Sequence, residues 1–293
     1  MLPRDSRISL RLHVQERRLI RAMAAHSPLS AILAREAGFD AIWASGFELS
    51  ALYGLADVSL ISMSDHLAMV RAMAGRCLLP IVADIDTGFG NAVNVMHAVR
   101  EYQLAGASAV VIEDKHFPKV TSLSDGARQD LVSVQEFEGK IEAAIEARSS
   151  EEFLIIARTE ALIAGLGHDE ALRRARAYGS AGADMVLVHS KQKTPIEIER
   201  FAAAWDGDPP LVVIPTAYPQ LNEARMKEIG GIGMVIYGNH GIRATVRAMR
   251  DVFAQIARSG HAMDVASSIA SVEDVFAIQE MDRINAEERR FVR

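Results

Sequence analysis

Three acidic residues at the ends of predicted strands could hold a divalent metal ion. Asp84 and Asp86 follow an apolar run at positions 81–83 and precede a glycine-rich turn, and Glu113 ends the next apolar run. An ionised carboxylate that is buried without partners is destabilising, so these positions favour a ligand site. Asp84 and Asp86 are expected to face the same side of the strand, because strand side chains alternate with period two. Their oxygen atoms suit Mg²⁺, with Mn²⁺ or Co²⁺ as alternative ions.

Basic groups follow two other predicted strands, where they could bind an anionic substrate. Arg158 ends the fifth strand and His189 ends the sixth. A guanidinium binds carboxylate and phosphate groups through two parallel hydrogen bonds. The alternative is structural: the acids could form ion pairs with Arg158 or Lys115, and His189 could be a satisfied core group. Because nearly every predicted strand ends in a polar or ionisable residue, the pattern favours a functional site.

The segment 113–126, which follows the fourth predicted strand, is long for a loop in a compact domain. It carries Lys119, Thr121 and Ser122 as well as a proline and a glycine. Loops of this length often close over active sites, so a lid is predicted here. A solvated polar loop is the alternative.

These residues need a scaffold that brings strand ends together. Short β-branched runs alternate with amphipathic segments, such as 92–104 and 169–181, along the chain. This alternation favours a (β/α)8 barrel of the TIM type, an α/β fold, over an open sheet. In such a barrel the site lies at the carboxyl ends of the strands. The predicted strands are 19–24, 41–44, 81–84, 109–113, 154–158, 185–189, 212–215 and 233–237.

No linker rich in proline, glycine or serine divides the chain, so residues 1–293 are predicted to form a single barrel domain. Residues 261–293 are predicted as a C-terminal helical extension, whose apolar stripe includes Val272, Phe276 and Met281. Such a stripe is expected to pack on a neighbouring subunit or to cap the barrel.

Composition argues against several classes of partner. The net charge of −6 offers no general basic surface for nucleic acid or an anionic membrane. No apolar run approaches the roughly 20 residues that cross a bilayer, and residues 1–18 lack the apolar core of a signal peptide. The single cysteine, Cys77, excludes an intrachain disulfide and a cysteine-cluster zinc site. The expectation is a cytoplasmic protein that acts on a small molecule.

Six motifs occur in the order that characterises a known group of enzymes. They are Trp43-Ala44-Ser45-Gly46, Asp84-Ile85-Asp86-Thr87-Gly88-Phe89-Gly90-Asn91, Glu113-Asp114-Lys115, Phe117-Pro118-Lys119, Ala157-Arg158-Thr159-Glu160-Ala161 and His189-Ser190-Lys191. With them the sequence resembles the phosphoenolpyruvate mutase/isocitrate lyase superfamily over nearly its whole length. The resemblance implies an α/β barrel whose final helix is swapped between subunits, in a homotetramer built as a dimer of dimers. It also implies Mg²⁺ and an α-keto or α-hydroxy acid substrate.

The lid distinguishes the branches of this superfamily. Its carbon–carbon lyases carry a cysteine in the lid, whereas this chain has Thr121 in that region and its cysteine at position 77. The Phe117-Pro118-Lys119 motif resembles the branch that acts on phosphonopyruvate, in which mutases have Asn where this chain has Thr121. The resemblance therefore implies Mg²⁺-dependent hydrolysis of the P–C bond of 3-phosphonopyruvate. The alternatives are the phosphonopyruvate/phosphoenolpyruvate mutase reaction and, less favoured, a C–C lyase or oxaloacetate decarboxylase activity.

The resemblance also assigns roles to individual residues. The catalytic set is Thr121, His189, Arg158, Lys119 and Asp57; the substrate-binding set is Trp43, Ser45, Gly46, Phe47, Ser122, Arg158 and His189; the metal set is Asp84, Asp86 and Glu113.

A binding protein that has lost its chemistry is the alternative from a different class, since a fold does not dictate function. The joint presence of the acids, Arg158, His189 and Lys119 argues against it.

Overall fold

The computed structural model describes residues 9–122 and 129–293 of the chain. In this part of the chain eight parallel strands follow one another around a closed barrel, with β1 paired to both β2 and β8. The predicted (β/α)8 fold is therefore confirmed. The strands are β1 (Ile20–Ala25), β2 (Ala41–Ala44), β3 (Ile81–Asp84), β4 (Ala109–Glu113), β5 (Leu154–Thr159), β6 (Met185–Val188), β7 (Leu211–Val213) and β8 (Ile232–Tyr237).

Helices alternate with these strands along the chain. One helix precedes β1, and every connection between successive strands contains at least one more. They are α1 (Leu10–Gln15), α2 (Pro28–Glu36), α3 (Gly46–Leu52), α4 (Met63–Arg76), α5 (Ala92–Ala105), α6 (Val134–Ala147), α7 (His168–Ser180), α8 (Ile196–Ala204) and α9 (Glu223–Ile229). Asn91 caps α5: its side chain accepts hydrogen bonds from the Val93 and Asn94 amides.

Alternate residues of each strand fill the barrel interior. In β4, Ala109 and Val111 belong to the inner apolar cluster, whereas Val110 and Ile112 pack outward with helix residues. This alternation follows from the period of two in a strand. It determines which strand residues can reach the interior at the carboxyl end.

The turn after β3 differs from the prediction. Asp86 does not continue the strand beside Asp84, because β3 ends at Asp84 and Asp86 has φ +51° in the left-handed region. The chain turns here, where the Gly88 amide donates to the Ile85 carbonyl at 2.9 Å. The expectation that strand alternation aligns the two carboxylates is therefore wrong. The predicted limits of all eight strands differ from the observed ones by two residues or fewer.

The chain divides into two compact units, and the second is Ile242–Arg293. Helix α10 (His240–Ser259) runs into this unit, which also contains a 3-10 helix (Ala262–Val265), α11 (Val272–Ile278) and α12 (Met281–Phe291). The residues of the predicted apolar stripe thus lie on two helices, α11 and α12, because Glu280 between these helices has φ +58°. The helix swap and the assignment of 261–293 as an extension stay predictions. None of the described helices is both long and apolar enough to cross a bilayer.

Candidate active site

Strand alternation brings four predicted site residues to one end of the barrel interior. Val82, Val111, Ile156 and Leu187 are the last inward apolar residues of β3, β4, β5 and β6. Two positions further along each chain segment stand Asp84, Glu113, Arg158 and His189, and all four are buried. Period-two geometry therefore aims them at the same region.

A cavity of about 70 Å³ lies at this end of the barrel. Most of the predicted catalytic and substrate-binding residues line it, including residues from the predicted lid. The lining residues are Trp43, Ser45, Phe47, Asp57, Asp84, Lys119, Thr121, Ser122, Arg158, His189, Ile214, Thr216, Gly238 and Asn239. Gly46 and Asp86 line a smaller cavity that shares Asp57 and Asp84 with the first. Residues 123–126 of the predicted lid lie outside the described residues.

Lys119 forms ion pairs with two acids at the edge of the cavity. Its Nζ atom lies 2.7 Å from Asp86 Oδ1 and 3.0 Å from Asp57 Oδ1. Burial by itself would lower the pKa of Lys119, but the surrounding carboxylates hold it well above its ordinary value. Burial would likewise raise the pKa of Asp86, yet Lys119 and a hydrogen bond from Ser59 bring it below its usual range. Both groups are therefore charged at neutral pH.

Asp84 is the acid best placed to meet a metal ion. Its side chain lines both cavities, and burial raises its pKa despite the nearby Lys119. A Cβ atom at Gly46 would lie 3.5 Å from Asp84 Oδ2 and 3.3 Å from Asp86 Oδ1, so both carboxylates face the start of α3. Although Asp86 leaves the strand, its carboxylate thus still lies near that of Asp84.

Glu113 lies deeper and lines neither of these cavities. Its Oε2 atom is 3.4 Å from Arg158 Nε, whereas its Oε1 atom lies 4.0 Å from Lys115 Nζ and is buried with no hydrogen-bond partner among the described residues. Burial raises the pKa of Glu113 to about 7. A buried oxygen without a donor is expensive unless a proton, water or cation satisfies it.

The acids fit a hydrated divalent cation rather than a cage of protein ligands. Within residues 9–122 and 129–293, no group of three or more His, Cys, Asp or Glu side chains is arranged to hold a metal ion. Mg²⁺ usually keeps several waters and needs only one or two carboxylates. Asp84 as the direct ligand, with Asp86 and Glu113 behind it, would match that preference for hard oxygen donors.

Arg158 and His189 form a buried pair with Glu160. Arg158 Nε donates to Glu160 Oε1 at 2.5 Å, while His189 Nδ1 lies 2.9 Å from Arg158 Nη2 and 3.1 Å from Glu160 Oε1. Burial lowers the pKa of His189, so its ring is neutral at pH 7. Nδ1 can accept from Arg158, which puts the ring proton on Nε2, or donate to Glu160, which leaves Nε2 as a proton acceptor. The choice between the two partners therefore sets the chemical role of His189.

The chain matches a protein family across most of its length. The family model described as phosphoenolpyruvate phosphomutase covers residues 10–257. The chain belongs to the phosphoenolpyruvate phosphomutase family. It is 54% identical over 285 residues to a phosphonopyruvate hydrolase of Variovorax sp. (strain Pal2), covering 97% of this chain and 98% of that protein.

Solved structures of this family resemble the chain closely. A crystal structure of phosphonopyruvate hydrolase in complex with oxalate and Mg²⁺ is 52% identical, with a TM-score of 0.92 and full coverage of both chains. A phosphoenolpyruvate phosphomutase structure from Streptomyces platensis subsp. rosaceus is 47% identical, with a TM-score of 0.95, covering 97% of this chain and 99% of that one. The family resemblance seen in the sequence motifs is confirmed.

Sequence reasoning missed several residues that build the site of this family member. Ser59 accepts a hydrogen bond from the Lys119 amide at 3.1 Å and donates to Asp86, which links the lid to the acid group. No local pattern marks this loop serine. Thr216 and Asn239, polar residues that follow β7 and β8, line the cavity although neither was given a role. Glu160 and Lys115 also stand at strand ends, yet neither was assigned to the site.

Proposed function

We propose that this protein hydrolyses the P–C bond of 3-phosphonopyruvate, giving pyruvate and phosphate, with Mg²⁺ as its cofactor. The observation that carries the proposal is the position of Thr121. In a chain 54% identical to a phosphonopyruvate hydrolase, Thr121 lies in the wall of the cavity that Asp84, Arg158 and His189 also line. A hydroxyl is thereby placed beside the groups suited to bind a phosphonate.

The charges of the site suit a substrate with a carboxylate at one end and a phosphonate at the other. Arg158 and Lys119 are both cationic, and a guanidinium and an ammonium can share the phosphonyl oxygens. In our proposal the Ser45 and Gly46 amides at the start of α3 bind the carboxylate or the developing oxyanion. Trp43 and Phe47 line the cavity, and in our proposal they enclose the carbon skeleton. When bound by Asp84, with Asp86 and Glu113 in support, Mg²⁺ supplies Lewis-acid stabilisation of the enolate oxygen.

The proposed reaction replaces a P–C bond with a P–O bond. An oxygen nucleophile attacks phosphorus, and the electron pair of the broken bond passes to carbon as pyruvate enolate, which is then protonated. Arg158 and Lys119 offset the charge on the phosphonyl oxygens in the transition state. Thr121 either positions the attacking water or attacks phosphorus itself, and in the second case water later releases phosphate from its Oγ atom. His189 with its proton on Nδ1 would take up the nucleophile's proton at Nε2, and Asp57 would orient the substrate or water.

The test is a direct assay of both possible products. The purified protein is incubated with phosphonopyruvate and Mg²⁺ while ³¹P NMR follows phosphorus and a coupled lactate dehydrogenase reaction follows pyruvate. We expect equal amounts of phosphate and pyruvate, and loss of both when EDTA removes the metal. Formation of phosphoenolpyruvate without phosphate would contradict the hydrolase proposal.

The mutase reaction is the second candidate. The 47% identity and TM-score of 0.95 to a phosphoenolpyruvate phosphomutase structure favour it. The same ³¹P experiment separates the two reactions, because isomerisation keeps phosphorus in an organic compound.

We further propose a homotetramer in the cytoplasm, built as a dimer of helix-swapped dimers. Support for assembly comes from apolar side chains that stand exposed in the second unit, among them Phe253, Val272 and Phe276. Contiguous exposed apolar surface usually marks an interaction site. Light scattering coupled to size-exclusion chromatography should give four times the chain mass of 31.9 kDa, and a monomer would refute the assembly. Fractionation of source cells tests the location.

A further inference from the structure

Lys115 holds both neighbours of Thr121. Its Nζ atom donates to the Val120 carbonyl at 2.8 Å and to Ser122 Oγ at 2.6 Å, and lies 3.1 Å from Glu160 Oε2. A lysine ammonium has three donors and no acceptor, so these partners use its full capacity. The side chain is 2% exposed. A buried ammonium with three acceptors in place is rigidly oriented.

Ser122 is equally saturated. Its hydroxyl accepts from Lys115 and from Arg158 Nη2 at 3.2 Å, and donates to Glu160 Oε2 at 2.5 Å. One donor and two acceptor sites are all that a hydroxyl possesses. The hydroxyl predicted to bind substrate is therefore engaged within the protein.

Glu160 connects the lid contacts of Lys115 and Ser122 to Arg158 and His189. Its Oε2 atom meets Lys115 and Ser122, and its Oε1 atom meets Arg158 and His189. Burial alone would raise its pKa, but the charges of Arg158 and Lys115 and a hydrogen bond with His189 hold that pKa well below its ordinary value. A single ionised carboxylate thus touches both the lid and the groups suited to the phosphonate.

We propose that Lys115 and Glu160 are positioning residues that fix Thr121 of the lid relative to Arg158 and His189. This inference rests on the proposed function, because it assigns the purpose of the anchor to the Thr121 step. Lys115 contacts the residue on each side of Thr121 in the chain: the backbone carbonyl of Val120 and the side chain of Ser122. Displacement of a reacting group by about 1 Å is enough to lower a rate on the order of 10²-fold.

The discriminating experiment is a double-mutant cycle between Lys115→Met and Thr121→Ala. If Lys115 acts through Thr121, Lys115→Met should lower kcat by about 10²-fold in the wild-type background, with KM changed less than about threefold. In the Thr121→Ala background the same substitution should lower kcat by less than about twofold. Equal losses in both backgrounds would overturn the proposal, because a general structural role does not depend on Thr121.

Arg148→Met is the matched control. Arg148 is a largely buried cation that donates to Asp184 and to the Phe153 carbonyl, and it lies after α6, away from the lid. The control should resemble Lys115→Met in the loss of a buried cation while leaving kcat within about twofold of wild type. A comparable loss of kcat in both single variants would also count against the proposal.

A second readout does not depend on turnover. Hydrogen exchange of peptides that cover residues 116–122 should be at least several-fold faster in Lys115→Met than in wild type, and unchanged in Arg148→Met. If Lys115→Met does not fold, Ser122→Ala takes its place in both measurements, with the same pattern expected at smaller size. Unchanged exchange in the folded variant would overturn the positioning role.

Failure of the proposed function and failure of this inference give different results. If the wild type releases no phosphate, the hydrolase proposal fails, and exchange at residues 116–122 still decides whether Lys115 fixes the lid. If the wild type hydrolyses phosphonopyruvate but the cycle is additive, the function stands and the positioning role fails. If Thr121→Ala has no measurable turnover, exchange alone decides.

Discussion

Replacing Glu113 by Gln should flatten the pH dependence of stability in the metal-free protein. Burial raises the pKa of this carboxyl from its ordinary 4.5 to about 7 in the folded state. Between these two values the folded protein binds more protons at Glu113 than the unfolded chain does. The free energy of unfolding therefore falls as pH rises through this interval, and the penalty is complete above about pH 7.

The size of the effect follows from the pKa. A rise from 4.5 to about 7 corresponds to a loss of about 3 kcal/mol at 1.36 kcal/mol per pKa unit. Glutamine resembles the protonated carboxyl and does not titrate. Wild type and Glu113→Gln should therefore have similar free energies of unfolding near pH 4.5, the ordinary pKa of this carboxyl. The variant should be more stable by about this amount at pH 8.

Urea unfolding in EDTA, followed by circular dichroism at several values from pH 5 to 8, measures the difference directly. Glu142→Gln is the control, since Glu142 is exposed on helix α6 and its removal should leave the profile of the wild type. If the free energies of unfolding of wild type and Glu113→Gln differ by the same amount at every pH from 5 to 8, the reasoning is refuted. Addition of Mg²⁺ at pH 8 should make the wild type more stable than Glu113→Gln, because a bound cation stabilises the ionised carboxylate.

Three further predictions address the lid, the anion site and the turn after β3. Thr121→Ala should lower kcat on phosphonopyruvate at least about 10²-fold with little change in KM, measured as phosphate release; an unchanged kcat would remove Thr121 from the mechanism. Arg158→Lys should lower kcat/KM by about 10²-fold in the same assay, because an ammonium cannot replace the planar fork that hydrogen-bonds three side chains at once; near-normal activity would show that a positive charge alone suffices. Gly88→Ala should lower the free energy of unfolding by about 2–4 kcal/mol, since φ is +84° and a Cβ would lie 2.3 Å from Val95 Cγ2. Gly38→Ala, with φ +83° but open space around the Cβ, should lower it by only about 1 kcal/mol, and equal losses in urea unfolding would refute the role of the clash.

The barrel was predictable because its signal is repeated and local. Runs such as Ile81–Asp84 and Ala109–Glu113 are short, apolar and separated by amphipathic helices, and their limits were predicted correctly. Period-two alternation then explains why Asp84 and Arg158 reach the interior. The turn at Asp86 was not predictable in the same way, because a left-handed residue depends on the hydrogen bonds of the turn rather than on residue pattern.

The site was predictable only where it sits at strand ends. Arg158 and His189 were identified by position, and the structure brings both to the cavity. The partners of Lys115 were not predictable, since its contacts with Val120 and Ser122 depend on how the lid folds back. A contact between a strand end and a loop carries no periodic signal in the sequence.

The anchor at Lys115 has a consequence for how reactions diversify in this family. Lys115 donates hydrogen bonds to the backbone carbonyl of Val120 and to the hydroxyl of Ser122, and neither contact involves the side chain at position 121. If Thr121 faces the reacting groups as proposed, this residue can be exchanged by a single codon change while its flanks stay in place. New chemistry becomes accessible in one evolutionary step, without first rebuilding the loop that presents it.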